Sequence, residues 1–156
     1  MIKKLIFSTV LGLTLGLASC GTQGEKAPGV GAAKPEAEAD AAATDKGLGK
    51  FKDLKLSTPL DAKMVEAGEA LYNTKCIACH KLTNEKLVGP GWAGVTSKRR
   101  PEWIMNFETN TNAMLDSDIV AQQLLVTCVA RMPNQNLSDD DARSVLEFMR
   151  KNDGQK

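Results

Sequence analysis

Cys76-Ile77-Ala78-Cys79-His80 is the stretch on which the reading of this chain turns. Two thiols separated by two residues and followed at once by an imidazole form the C-x-x-C-H pattern of covalent haem attachment. The spacing lets both sulfurs add to the two vinyl groups of one haem, and it places the histidine to bind iron from the same side. Three other chemistries use similar residues. A thioredoxin-like redox pair opens a helix within a βαβ unit, and no Val/Ile-dense segment precedes Cys76. A zinc centre built from Cys76, Cys79, His80 and Cys128 has the ligand count of a closed tetrahedral site. Adjacent ligands at 79 and 80 are awkward there, and no second C-x-x-C or H-x-x-H half is present. A plain Cys76–Cys79 disulfide with His80 incidental also stays open. In an exported chain the haem reading leads.

Working outward, Pro59 and Asp61 introduce a helical pattern through about Asn73, with Met64, Val65, Gly68, Leu71 and Tyr72 along one face. Gly68 costs such a helix about 1 kcal/mol relative to alanine, which a close helix contact would explain. At the far end Ser138 caps a first turn of Asp139, Asp140 and Asp141, carboxylates that suit the positive end of a helix dipole. Val145, Leu146, Phe148 and Met149 form its apolar side, and Arg150-Lys151 close it with the right charge sign. Between these ends, Pro101 opens a helix. Asp116-Ser117-Asp118 start a strongly apolar segment, Ile119 to Val129, in which Cys128 reads as a buried small hydrophobe.

The N-terminal region has a different character. Lys3-Lys4 precede an apolar run from Leu5 to Leu17, too short for a span of about 20 residues and laid out like a secretory signal. Leu17-Ala18-Ser19-Cys20 resembles the lipobox of bacterial lipoproteins, which assigns Cys20 to a lipid anchor after cleavage of residues 1–19. An exported protein lipid-anchored to a bacterial membrane and facing the periplasm is the expectation. Residues 20–56 then read as the acylated cysteine and a flexible Ala/Gly/Pro/charged tether, too poor in large apolar side chains to order itself. Phe51 falls outside the expected folded part, and residues 57–156 form the expected domain.

Removal of 19 residues from 156 leaves 137, the size of one domain plus extra chain. With Lys3 and Lys4 gone, 18 basic face 19 acidic groups, so nucleic acid is not an implied partner. The single histidine excludes every mechanism that needs two. Tyr72, Trp92, Trp103, Phe107 and Phe148 are a thin aromatic complement for a core of this size, and small folds with such cores often rely on a metal, disulfides or a cofactor.

Taken together, Gly68 and Tyr72 on the first helix, Cys76 to His80, Gly89-Pro90, Met132-Pro133, and Val145 and Phe148 on the final helix resemble a monohaem class I c-type cytochrome, here in a bacterial lipoprotein form. The resemblance spans about Ser57 to Lys156. It implies an all-α small cytochrome c fold, with N- and C-terminal helices packed together and two or three helices and loops wrapping one covalent haem c. It also gives the Pro90 carbonyl the role of accepting a hydrogen bond from His80, which fixes an imidazole's tautomer and orientation. Gly89-Pro90-Gly91 as a plain turn is equally compatible with the sequence.

Bis-histidine ligation being impossible, the other axial position falls to methionine, another group, water or nothing. Methionine leads, because His/Met ligation raises the potential and suits electron transfer. Met132, on a proline-stiffened loop before the last helix, stands where this family's methionine ligand occurs. Met64, Met105 and Met149 lie in helical patterns and read as core fillers, and Met114 is a weaker competitor. Arg99, Arg100 and Trp103 carry donors suited to haem propionates, or form a solvated basic run before a helix.

With His80 and Met132 on iron, no position is left for substrate. The resemblance therefore implies a carrier of single electrons, not an enzyme, working between redox partner proteins such as a respiratory complex, a terminal oxidase or a periplasmic reductase. A basic rim of Lys75, Lys81, Lys86, Lys98, Arg99 and Arg100 would steer it to an acidic partner, and a mixed charged surface is the plainer reading. The alternatives are a haem-based gas- or peroxide-binding domain with a labile sixth ligand, and a zinc-stabilised lipoprotein module.

Overall fold

Asp61 starts the first helix by accepting hydrogen bonds from the backbone N–H groups of Lys63 and Met64 at 2.9 and 3.1 Å. That helix, α1, runs Ala62–Leu71, and its buried line is Val65 and Gly68. The structure, a computed structural model, describes residues 45–156. The expected signal at 1–19, the lipid-anchor Cys20 and the tether up to residue 44 lie outside the described residues.

After α1 the helix widens into a π turn, Tyr72–Cys76, closed by the N–H of Ile77 on the Tyr72 carbonyl at 3.0 Å. Such widened turns concentrate at functional sites. Four further helices follow: α2 (Val95–Lys98), α3 (Pro101–Thr109), α4 (Thr111–Ser117) and α5 (Ile119–Thr127). The last, α6 (Asp139–Asn152), begins with a capping box in which Asp141 N–H donates to Ser138 Oγ and Ser138 N–H to Asp141 Oδ2. The described chain is all-α, with one isolated bridge between His80 and Lys86.

Helices α1 and α6 pack directly on each other, and Gly68 is the reason they come so close. A Cβ at Gly68 would stand 2.0 Å from the Ser144 carbonyl oxygen and 2.8 Å from Phe148 Cβ. The core continues through Ala142, Val145, Leu146 and Met149 of α6 to Ile104 and Met105 of α3. Tyr72 sits between Trp92 and Phe148, with ring centroids 5.0 and 5.5 Å away. Glu147 is buried on α6, and Arg143 and Arg150 neutralise it, the latter at 2.7 and 2.9 Å. Arg150 also donates to the Ser57 carbonyl at 3.1 Å.

Three expectations need correction. Packing extends N-terminal of residue 57, into residues 45–56, and Phe51 belongs to it. Leu48, Phe51 and Leu54 pack against the core, while Asn106 of α3 accepts from Phe51 N–H at 3.0 Å and donates to the Phe51 and Lys46 carbonyls at 2.9 and 2.8 Å. Three apolar side chains three residues apart suffice once α3 offers an amide to the intervening backbone. Met64, expected as core filler, is only half-buried, because Val65 and Gly68 set the face of α1 that meets α6. The apolar segment from Ile119 buries little: only Ala121 is buried within α5, and Ile119, Val126 and Val129 are 54%, 85% and 74% exposed.

Candidate functional site

The π turn delivers Cys76 and Cys79 to a cavity of about 330 Å³, within the range of small-molecule and cofactor pockets. Cys76 is buried and Cys79 half-buried, and neither is in a disulfide. Burial pushes the Cys76 thiol up to about 11, assisted by the Glu108 carboxyl and Cys79 against the opposing pull of Lys75. Next to them, His80 Nδ1 lies 2.8 Å from the Pro90 carbonyl oxygen. A carbonyl can only accept, so Nδ1 carries the proton and Nε2 is the basic nitrogen. The tautomer follows from this partner. Burial lowers the His80 pKa, opposed by the Pro90 hydrogen bond, so the ring is held neutral.

Two further contacts lock this geometry. Tyr72 Oη donates to the His80 carbonyl at 2.8 Å. Gly89 lies flat against the imidazole, where a Cβ would be 2.5 Å from Cε1 and 3.0 Å from both ring nitrogens. Gly89 N–H in turn donates to the Cys79 carbonyl at 3.0 Å, tying the loop to the thiol segment.

Met132 and Pro133 line the same cavity, together with Leu124, Leu125 and Cys128 near the end of α5. Met114 does not. It is fully buried, and its Sδ accepts from the Leu48 N–H at 2.9 Å. Among the described residues no cluster of three or more His, Cys, Asp or Glu side chains is arranged to hold a metal ion, so the four candidate zinc ligands do not form a tetrahedral centre.

The basic run divides. Arg99 lines the cavity, its guanidinium 5.3 Å from the Trp103 ring centre. Arg100 faces away, to Asp45 at 3.3 Å and Glu102 at 3.4 Å, and this corrects its expected place beside the cofactor. The docking of residues 45–56 on α3 supplies the acid that draws it off. Trp103 lines the cavity, but its indole N–H is spent on Asp118 Oδ1 at 3.2 Å rather than free for a propionate. Cys128 is half-buried at the cavity wall, its Sγ 3.2 Å from the Leu124 carbonyl oxygen, and not in the hydrophobic core as expected.

Sequence reasoning missed Glu108, a cavity-lining residue only 6% exposed. Its signal was present. Pro101, Ile104, Met105 and Glu108 fall at i, i+3, i+4 and i+7 of one helix, which places the acid on the inward face.

The site fits a flat, apolar, iron-bearing group. Two unbridged thiols flank the wall, a neutral imidazole keeps its basic nitrogen unused by protein, and a thioether stands on the same cavity. Such a group brings its own large apolar surface, which offsets the few aromatic side chains.

Comparisons with known proteins agree. A family model described as Cytochrome c matches residues 65–153. A solved cytochrome c from Rhodothermus marinus is 36% identical, with a TM-score of 0.66, covering 73% of this chain and 96% of that one. An engineered cytochrome c from the same organism, bound to a carbene intermediate, is 35% identical over the same shares of the two chains with a TM-score of 0.63. No curated protein sequence gives a significant match.

Proposed function

The chain belongs to the cytochrome c family and binds one covalent haem c, and from that premise we propose that it is a membrane-tethered, periplasm-facing carrier of single electrons between redox partner proteins. Cys76 and Cys79 would hold the haem through thioethers, and His80 Nε2 and Met132 Sδ, which line the same cavity, would ligate its iron. The haem supplies a one-electron ferric/ferrous couple, whose potential the protein sets through ligands, burial and nearby hydrogen bonds. Pro90 and Gly89 fix the imidazole, so little reorganisation accompanies the change of charge. The apolar side chains of the cavity, such as Leu124, Leu125 and Ile104, would lower the polarity around that iron.

The observation that carries this reading is that His80 and Met132 open onto one cavity. With both axial positions filled by protein, the iron offers no site to a substrate, which favours a carrier over a gas- or peroxide-binding domain. The ferric holoprotein is expected to show the weak near-red charge-transfer absorption of His/Met haem, and Met132→Ala to lose it. An unchanged spectrum in that variant would remove Met132 from the iron.

Lys75, Lys98 and Arg99 stand at the cavity and form the basic rim available to an acidic partner. Lys81 is paired with Glu85 and contributes less. A respiratory complex, a terminal oxidase or a periplasmic reductase would present such an acidic surface. The anchor itself rests on the lipobox-like residues ending at Cys20. No helix among the described residues is long and apolar enough to cross a membrane.

A further inference from the structure

Glu108 Oε2 is fully buried without a hydrogen-bond partner. The residue sits on the inward face of α3 and lines the cavity that takes the haem. The other buried acid of that helix is treated differently: Glu102 accepts from the Leu54 N–H at 3.2 Å and from Arg100. A carboxylate deprived of both water and partners is costly. Burial accordingly pushes the Glu108 pKa well above the ordinary range.

The charged and titratable groups around it leave that carboxyl unpaired. From the haem-binding segment come Cys76, Cys79 and His80, the last committed to Pro90, together with Lys75, which donates to the Gln135 carbonyl. From α2 and its end come Lys98 and Arg99, which donate to the Ala93 and Lys98 carbonyls. After α5, Cys128 bonds the Leu124 carbonyl, and Arg131 bonds the Asn112 carbonyl and Asp116. On α6, packed against α3, Glu147 is saturated by Arg143 and Arg150. Asp118, at the start of α5, accepts from the Trp103 indole and the Ala121 N–H on Oδ1, while its Oδ2 is buried without a partner, as Glu108 Oε2 is; unlike Glu108, it does not line the cavity.

We propose that Glu108 couples proton binding to the redox state of the haem: its carboxyl binds one proton from solvent when the iron gains one electron, and releases it on oxidation. The step balances. The electron comes from the donor protein, one O–H bond forms on Glu108, and the site's net charge is unchanged. The driving term is Coulombic, because reduction would remove one positive charge from the cavity that Glu108 lines, and unit charges interact strongly across a low-dielectric wall. An isolated carboxyl with no competing cation is the group such a change moves most. This inference rests on the electron-carrier reading.

The test is a spectroelectrochemical titration of the holoprotein across the pH range in which it stays folded, for the natural chain and Glu108→Gln, with redox-difference infrared spectra. In the natural chain the midpoint potential falls as pH rises through one interval, the redox equilibrium changing by up to tenfold per pH unit. Glu108→Gln flattens that interval. Reduction of the natural chain adds a protonated-carboxyl stretch that the variant lacks. A pH-independent potential in the natural chain, or the same slope in the variant, overturns the proposal, the latter by placing the proton elsewhere. Should Glu108→Gln fail to take haem, Glu108→Leu serves, and an infrared difference without a carboxyl band in the natural chain overturns the proposal by itself. A holoprotein lacking any reversible one-electron couple overturns the carrier reading and the proposal with it.

Discussion

Replacing Gly89 by alanine would put a methyl group 2.5 Å from His80 Cε1 and 3.0 Å from both ring nitrogens, too close for the imidazole and the loop both to keep their places. Gly89→Ala is therefore expected to weaken the His80–Pro90 hydrogen bond and lower the fraction of chain that retains a six-coordinate haem, read from the visible spectrum. Glu108 makes a separate prediction about stability. Burial holds its folded pKa well above the ordinary carboxylate range, so between the unfolded and folded values the folded state binds more protons than the unfolded state. The contribution is fully present below the unfolded pKa and is lost as pH rises through the folded one. Glu108→Gln should remove this loss, leaving denaturation midpoints that fall less from acid to neutral pH than those of the natural chain. Equal slopes for both chains would contradict the burial argument. At this scale the cavity-lining positions of Cys76, Cys79, His80 and Met132 were legible, because few residue types can bind haem or iron and their spacing is short. Glu108 and Arg100 were not. A lone acid on a helix reads as solvated until its phase is checked, and one of the two acids that hold Arg100, Asp45, lies 55 residues away in sequence.

The helix pair α1 and α6 depends on a single absent side chain. Gly68→Ala gains about 1 kcal/mol of intrinsic helix propensity, yet its methyl group would stand 2.0 Å from a backbone carbonyl that cannot rotate away. Overpacking of this kind costs about 1–3 kcal/mol or more, so the clash is expected to win and the variant to melt below the natural chain. A higher melting temperature would show that α6 slides freely on α1. The segment 45–56 is held through Asn106, whose amide makes three hydrogen bonds to its backbone. Asn106→Ala should release that segment to limited proteolysis and faster hydrogen exchange near Phe51, while α1 and α6 keep their protection. Both terminal helices could be read from caps and periodicity, since those signals are local. The strap could not, because Leu48, Phe51 and Leu54 are diluted in a charged stretch and gain meaning only against α3. The apolar content of α5 misled in the opposite sense, as hydrophobicity does not say which face finds a partner.

On the scale of the whole molecule, docking of residues 45–56 moves the start of the packed body toward the membrane anchor proposed at Cys20. At most residues 21–44, 24 in all, then separate them. A short connection raises the effective concentration of the haem domain over partners in the same membrane without adding any contact. Cys20→Ala removes the proposed acylation site and touches nothing in the described body. Two outcomes are expected together: the chain moves from the membrane to the soluble fraction, and its ferric and ferrous spectra are unchanged. Electron transfer to membrane-bound partners should slow for the released form, whereas transfer to a small soluble oxidant should not. Raising the released protein's concentration should restore the membrane rate, since only encounter frequency was lost. Rates that fail to recover would mean that the acylated terminus itself touches the partner, and retention of Cys20→Ala in the membrane would show that something other than this lipid holds the chain there. The salt response adds a check on the same rates. Lys75, Lys98 and Arg99 at the cavity mouth steer most effectively within about 10 Å at moderate ionic strength. The released form should therefore lose more of its rate on adding salt than the tethered form, in which the anchor already supplies the encounter.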